Sequence, residues 1–157
     1  MDVRTVMDDE RDWVEQFIVE RWKAPHVVSR GRLHRPVELP GLVAVDGDRR
    51  VGLLTYRVEG DSCEVVTVDA LVEGKGVGTM LLDAAAEAAR SHGCRRLWLI
   101  TTNDNVRALG FYQRCGFVLA ALHRDAVTKA RRLKPEISLV GQDGIPIRDE
   151  LELERIL

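Results

Sequence analysis

Cysteine is scarce in this chain of 157 residues: Cys63, Cys94 and Cys115 are the whole set, none lies in a CxxC pair, and any pairing leaves one over. That argues against a disulfide framework and against a zinc site, so no metal is expected. The three read as small buried apolar residues of a reducing compartment. Long apolar runs are also missing. No stretch reaches the ~18 residues that would span a membrane. The opening MDVRTVMDDERD is acidic and lacks the apolar core of a signal peptide. No membrane partner is expected, and the cytoplasm is the default location. Nor is there an excess of one charge: 23 Lys and Arg face 25 Asp and Glu, formally −2. A dedicated nucleic-acid binder would carry a strong basic excess, so no nucleic acid is expected. With no repeat, low-complexity tract or linker, residues 1–157 are read as one domain.

Periodicity supplies the elements. From Asp8 to Lys23, Trp13, Phe17, Ile18 and Trp22 recur at helical spacing, and Pro25 stops the run. His26 to Pro40 is basic and ambiguous. Gly41 to Val45 and Val51 to Val58 are apolar on either side of Asp46-Gly47-Asp48, which predicts a hairpin. Gly60-Asp61 then turns into a third strand, Cys63 to Ala70, making a three-strand antiparallel meander. Gly74-Lys75-Gly76-Val77-Gly78 opens a helix ending near Gly93, with Val77, Leu81, Ala84 and Ala88 on one face and Asp83, Glu87 and Arg90 on the other. Leu97 to Ile100 is apolar throughout, as an interior strand should be. The strand–helix–strand order predicts a right-handed crossover and a parallel pair. Asn103 to Cys115 reads as a helix closed by Gly116, and Phe117 to Leu122 as a strand. Ala126 to Leu133 suggests a short helix, and Leu151, Leu153 and Ile156 a last strand. The class is α/β with a mixed sheet.

A strand running through glycines into a helix is a physical anion site, because the first helical turn carries unpaired N–H groups and the positive end of the dipole. A P-loop is excluded, since Lys75 is followed by Gly76 rather than Ser or Thr. A dinucleotide fingerprint fits poorly: the spacing is GxGxG, and two antiparallel strands precede it. The remaining ligand type is the diphosphate of coenzyme A. Glu73-Gly74-Lys75-Gly76-Val77-Gly78 resembles the Gln/Arg-x-x-Gly-x-Gly/Ala signature of the GNAT family of N-acetyltransferases. Asn105, Ala108, Tyr112, Gly116 and Phe117 match the same family's later block, Asn-x-x-Ala-x-x-x-Tyr-x-x-x-Gly-Phe. The resemblance runs from about Leu42 to Leu119. Read without it, Asn105 is an N-cap and Tyr112 a core aromatic.

The resemblance implies a mostly antiparallel sheet with one splayed parallel pair and flanking helices. It also implies acetyl-CoA as co-substrate and an amine as acceptor. Val66, Thr67 and Val68 would pair with the pantetheine arm, and Gly74, Lys75, Gly76, Val77, Gly78 and Thr79 would wrap the diphosphate. Asn105 would bind the pantetheine chain. Tyr112 would be the general acid, since a phenol is protonated at pH 7 and can give its proton to a thiolate. Glu64, on the strand face of Val66 and Val68, is the candidate base, with Asp69 and His123 behind it. Ile100 stands where some family members carry a catalytic glutamate. Glu73 departs from the family's Gln or Arg and sets an anion beside the diphosphate. The basic stretches His26 to Arg35 and Arg124 to Lys134 read as solvated faces. A homodimer is a habit of the family, and a non-catalytic acyl-CoA sensor is the rival class.

Overall fold

The computed structural model describes residues 1–157. In chain order the elements are β1 (Asp2–Thr5), a 3-10 turn (Asp8–Glu10), α1 (Arg11–Trp22), β2 (Val27–Ser29), β3 (Arg32–His34), β4 (Gly41–Asp46), β5 (Arg49–Glu59) and β6 (Ser62–Ala70). They continue with α2 (Val77–Ser91), β7 (Arg96–Thr102), α3 (Val106–Arg114), β8 (Val118–His123), α4 (Ala126–Ala130) and β9 (Glu150–Ile156). Seven strands form one sheet in the order β1-β4-β5-β6-β7-β9-β8, and β6–β7 is its parallel pair. The mixed, mostly antiparallel sheet with flanking helices is the architecture expected from the sequence.

The meander is larger than expected. β1 adds a fourth antiparallel strand beside β4, and its four residues were too few to show a period. The ambiguous basic stretch folds into the β2–β3 hairpin, turned by Arg30 and Gly31 at φ 49° and 73°. β9 inserts between β7 and β8, so the end of the chain lies inside the sheet. α1 stops at Lys23, which takes the left-handed conformation (φ 63°) just before Pro25.

Each sheet face has its own apolar cluster. Val14, Phe17 and Ile18 of α1 pack on Val43 and Leu53. On the other face α2 buries Val77, Leu81, Leu82, Ala85, Ala86 and Ala89 against Leu54, Tyr56, Leu97, Leu99 and Leu153. Ala84 and Ala88, expected on that face, are half-buried at its edge. Cys63 and Cys94 lie buried in this cluster, and burial raises the Cys63 thiol to about 12, which makes it inert.

One ionic knot ties the α1 layer to the sheet. Glu10 is buried and accepts from Arg4 Nη1 at 2.6 Å, Arg50 Nε at 2.7 Å and the Met7 amide at 3.0 Å. Arg4, then the Met7 amide and Arg50, hold its carboxyl down to about 2 against the opposing effect of burial. The lowered value means that this stability is complete above the ordinary carboxylate range and is lost as pH falls towards about 2. Glu10→Gln is expected to cost about 2 kcal/mol at neutral pH. In thermal melts the gap to wild type should close on acidification. A gap independent of pH would contradict the ionic role.

Candidate active site

The site begins where β6 and β7 part. Their parallel pairing runs from Ser62 opposite Arg96 to Val65 opposite Leu99 and then ends. At the same point the register with β5 slips by one: Tyr56 faces Val65, Thr55 faces Thr67, and Val66 is left unpaired as a bulge. A bulge bends its strand and increases its twist, so β6 turns away from β7 and leaves main-chain groups open on that side. The cleft in the gap has a volume of about 600 Å³. Glu64, Val66, Val68 and Asp69 of β6 line it, with Ile100 and Thr101 of β7, Asn105 and Tyr112 from α3, and Glu150 of β9. Trp22 closes one side and Ser29 of the β2–β3 hairpin another.

The bulge corrects an expectation drawn from simple alternation. Before it, Glu64 points to the α1 face; after it, Thr67 and Asp69 point there and Val68 to the α2 face. Glu64 therefore does not share a face with Val68. At Thr67 the expectation concerns the main chain alone. Its hydroxyl is buried against Thr55 Oγ1 at 2.6 Å, so only its main chain is available to a ligand.

Glu64 is 3% exposed, and its Oε2 accepts from the Ser29 hydroxyl at 2.5 Å. Ser29 Oγ lies 3.0 Å from His34 Nε2. Because the Ser29 proton goes to Glu64, His34 must donate through Nε2, which fixes its tautomer. Burial, reinforced by Arg57 and Arg32, pushes His34 down to about 4, so it is neutral at pH 7. Burial raises Glu64 above the usual carboxylate range, partly offset by Ser29 and Arg57 and reinforced by Glu150. Ser29 and His34 sit in the stretch that looked merely basic. The signal in the sequence was Val-Val-Ser-Arg-Gly-Arg-Leu-His, two short runs around an Arg-Gly turn.

Tyr112 borders the cleft, its ring edge-on to Phe117 at 6.1 Å. Burial, helped by Asp69 and Cys115, holds its phenol above the ordinary value, so the hydroxyl is a proton donor across the working pH range. Asn105 caps α3, its Oδ1 accepting from the Ala108 amide at 3.3 Å, while the residue also faces the cleft. The cap occupies one acceptor oxygen and leaves the side-chain amide as a donor. Asp69 accepts from Trp22 Nε1 at 2.9 Å, and burial raises it despite Trp22 and Arg21. His123 is outside the cleft, 2.9 Å from Glu152 Oε1. Ile100 lines the wall as an apolar residue.

The glycine loop follows β6 and lies beyond the cleft's lining. Gly74 and Gly76 take φ of 72° and 74°, and Gly76 caps α2. The helix's first intrahelical bond runs from the Met80 amide to the Gly76 carbonyl at 3.0 Å, which leaves the N–H groups of residues 77–79 open. Lys75, Thr79 and Glu73 are exposed, so the Glu73 carboxylate stands in water, where screening is strong. Val77 is different: its side chain is core, 1% exposed, and only its amide faces outward. Gly78 has a packing reason too. A Cβ there would lie 2.8 Å from Phe111 Cζ, so any other residue at that position would have to displace the Phe111 ring.

The basic stretches are largely solvated faces, with Arg30, Arg32, Arg35, Arg124, Lys129 and Arg132 exposed, and two side chains depart from that expectation. Lys134 is buried and donates to the His26 carbonyl at 3.0 Å, and Arg131 Nη2 donates to the Ser138 and Ile147 carbonyls at 2.7 Å each. Arg30, Arg32 and Arg35 face Glu150, Glu59 and Glu15. No helix is long and apolar enough to cross a membrane, and no group of His, Cys, Asp and Glu could hold a metal ion.

Comparison with known proteins agrees with this fold. Residues 7–117 match the model of the acetyltransferase (GNAT) family. The chain is 42% identical over 142 residues to the uncharacterized protein YdhI of Bacillus subtilis (strain 168), covering 90% of this chain and 89% of that protein. Among solved structures it is similar to an IAA acetyltransferase from Bacillus cereus, with a TM-score of 0.76, 22% identity and 99% of each chain covered. It is also similar to a Bacillus subtilis acetyltransferase in complex with CoA, with a TM-score of 0.68, 21% identity and 99% of each chain covered.

Gly78→Ala tests the helix contact. Alanine favours a helix by about 1 kcal/mol over glycine, but overpacking against Phe111 costs ~1–3 kcal/mol. A lower melting temperature is expected, with partial recovery in the Gly78→Ala, Phe111→Leu double variant. An unchanged or raised melting temperature in the single variant would contradict the contact.

Proposed function

Because the chain belongs to the acetyltransferase (GNAT) family, we propose that it moves the acetyl group of acetyl-CoA to a primary amine, with Tyr112 as acid and Glu64 as base. The observation that carries this reading is the opening of β6 from β7 with Tyr112 and Glu64 both on the resulting cleft. Open main chain at Val66, Thr67 and Val68 suits the pantetheine arm as an added strand. The open amides at the start of α2, with Gly74, Lys75, Gly76 and Thr79 around them, suit a diphosphate. Gly78 and Val77 contribute main chain alone. Asn105 offers its amide N–H₂ to the pantetheine chain.

The chemistry balances as follows. An incoming ammonium gives one proton to the Glu64 carboxylate, directly or through a water, and becomes a nucleophile. Its lone pair forms the C–N bond at the thioester carbonyl, and collapse of the tetrahedral adduct breaks the C–S bond. The departing thiolate takes the Tyr112 proton, and the phenolate recovers a proton from the nitrogen that has just been acylated. The products are amide, free thiol and one proton. Burial suits Glu64 to this task, because a carboxyl raised above its ordinary range is a stronger base once ionised. Ser29 and His34 hold that carboxylate in place.

Tyr112→Phe is expected to lower kcat at least ~10-fold while the thermal shift caused by acetyl-CoA is retained. Unchanged turnover would remove Tyr112 from the acid role. The raised Glu64 value means that the base form is lost as pH falls through it, so kcat/KM of wild type should decline on the acid side. Glu64→Gln should be slow at every pH and lack that acid limb. A variant that kept it would assign the base elsewhere, with Asp69 next in line.

A further inference from the structure

The acceptor end of the cleft is acidic in a specific way. Glu64 and Glu150 are both on its lining, 3% and 2% exposed. Neither carboxylate is fully engaged by the protein. Glu150 Oε1 accepts from the Arg30 amide at 3.1 Å and faces Arg30 Nη1 at 3.7 Å, while no hydrogen bond engages Oε2. On Glu64, Ser29 takes Oε2, and Oε1 is 3.8 Å from a neutral His34. Arg57, opposite Glu64 on β5, is not on the lining.

None of the cations on the cleft lining pairs with Glu64 or Glu150. Arg21 Nε is 3.7 Å from Asp69, Lys23 donates to the Glu20 carbonyl at 3.2 Å, and Lys134 donates to the His26 and Trp22 carbonyls. An anionic acceptor placed at Glu64 and Glu150 would therefore meet two buried carboxylates that no lining cation pairs with. A dication would neutralise charge whose burial is otherwise costly. The same cleft is also lined by the apolar Val27, Val28, Ile137 and Ile147, which suit methylene groups.

From this arrangement we infer that the acceptor is a compact cationic amine with a second positive group, the reacting nitrogen at Glu64 and the second cation at Glu150. The inference rests on the acetyl-transfer reading above and adds the substrate class. Glu150 acts here as a specificity residue and takes no part in the proton transfers. Amines whose far end is a carboxylate are the excluded class.

Three five-carbon amines that differ at one end make the test: n-pentylamine, cadaverine and 5-aminopentanoate. Binding is read as a thermal shift on protein saturated with CoA, and transfer as thiol release from acetyl-CoA. The expected order is cadaverine, then pentylamine, then aminopentanoate, with cadaverine favoured by about tenfold or more, as befits a desolvated charge pair. Glu150→Gln should reduce the cadaverine-to-pentylamine ratio at least ~5-fold. A CoA-loaded protein that cadaverine fails to stabilise, an aminopentanoate signal equal to that of cadaverine, or a ratio unchanged in Glu150→Gln would each overturn the inference. The underlying reading fails differently: CoA and acetyl-CoA themselves would give no thermal shift.

Discussion

A single slip in strand register organises the molecule. Val66 has no partner on β5, and at that residue β6 also loses β7. Up to Val65 the two parallel strands share hydrogen bonds above a core of Leu97, Leu99 and Leu153. Beyond it, main-chain groups that would cost free energy if buried unpaired are instead exposed to a cleft. Those open groups make the cleft a place for a ligand that pairs like a strand. The same slip exchanges faces, which sends Glu64 and Asp69 to one side although they are an odd number of residues apart. Alternation alone would have put them on opposite sides.

The layers around the slip hold it in place. α2 packs beneath through its small residues, and Gly78 lets Phe111 of α3 come against the start of that helix. This contact sets Tyr112, the next residue, at the cleft edge. On the other face the β2–β3 hairpin lays Ser29 and His34 over Glu64 and Arg30 beside Glu150. Lys134 and Arg131 fasten the long loop before β9 through main-chain carbonyls. The cleft is thus assembled from parts far apart in sequence.

That separation explains what the sequence could and could not disclose. The turns at Gly47 and Gly60, the glycine-opened helix and the block from Asn105 to Phe117 were legible, because each is a local pattern with one physical solution. Tyr112 and Asn105 could be placed on that helix for the same reason, whereas their roles at a site came only from the family resemblance. The bulge was not legible. Val-Val-Thr-Val reads as uninterrupted strand, and only the pairing with β5 shows that Val66 is surplus. The Ser29–His34–Glu64 chain was hidden because its members lie on β2, β3 and β6, and the hairpin's strands are three residues each. Glu150 gave no signal at all, since its role depends on β9 inserting beside β7. The basic segments were legible as mostly solvated, but the anchoring of Lys134 and Arg131 on backbone carbonyls left no local signal.

A crystal structure with bound CoA tests the central claim most directly. The account requires the diphosphate to accept hydrogen bonds from main-chain amides at the start of α2, the pantetheine arm to run along β6 after Val65, and the sulfur to lie within hydrogen-bonding reach of the Tyr112 hydroxyl. A cofactor bound elsewhere, or a sulfur remote from Tyr112 with the β6–β7 gap empty, would contradict it.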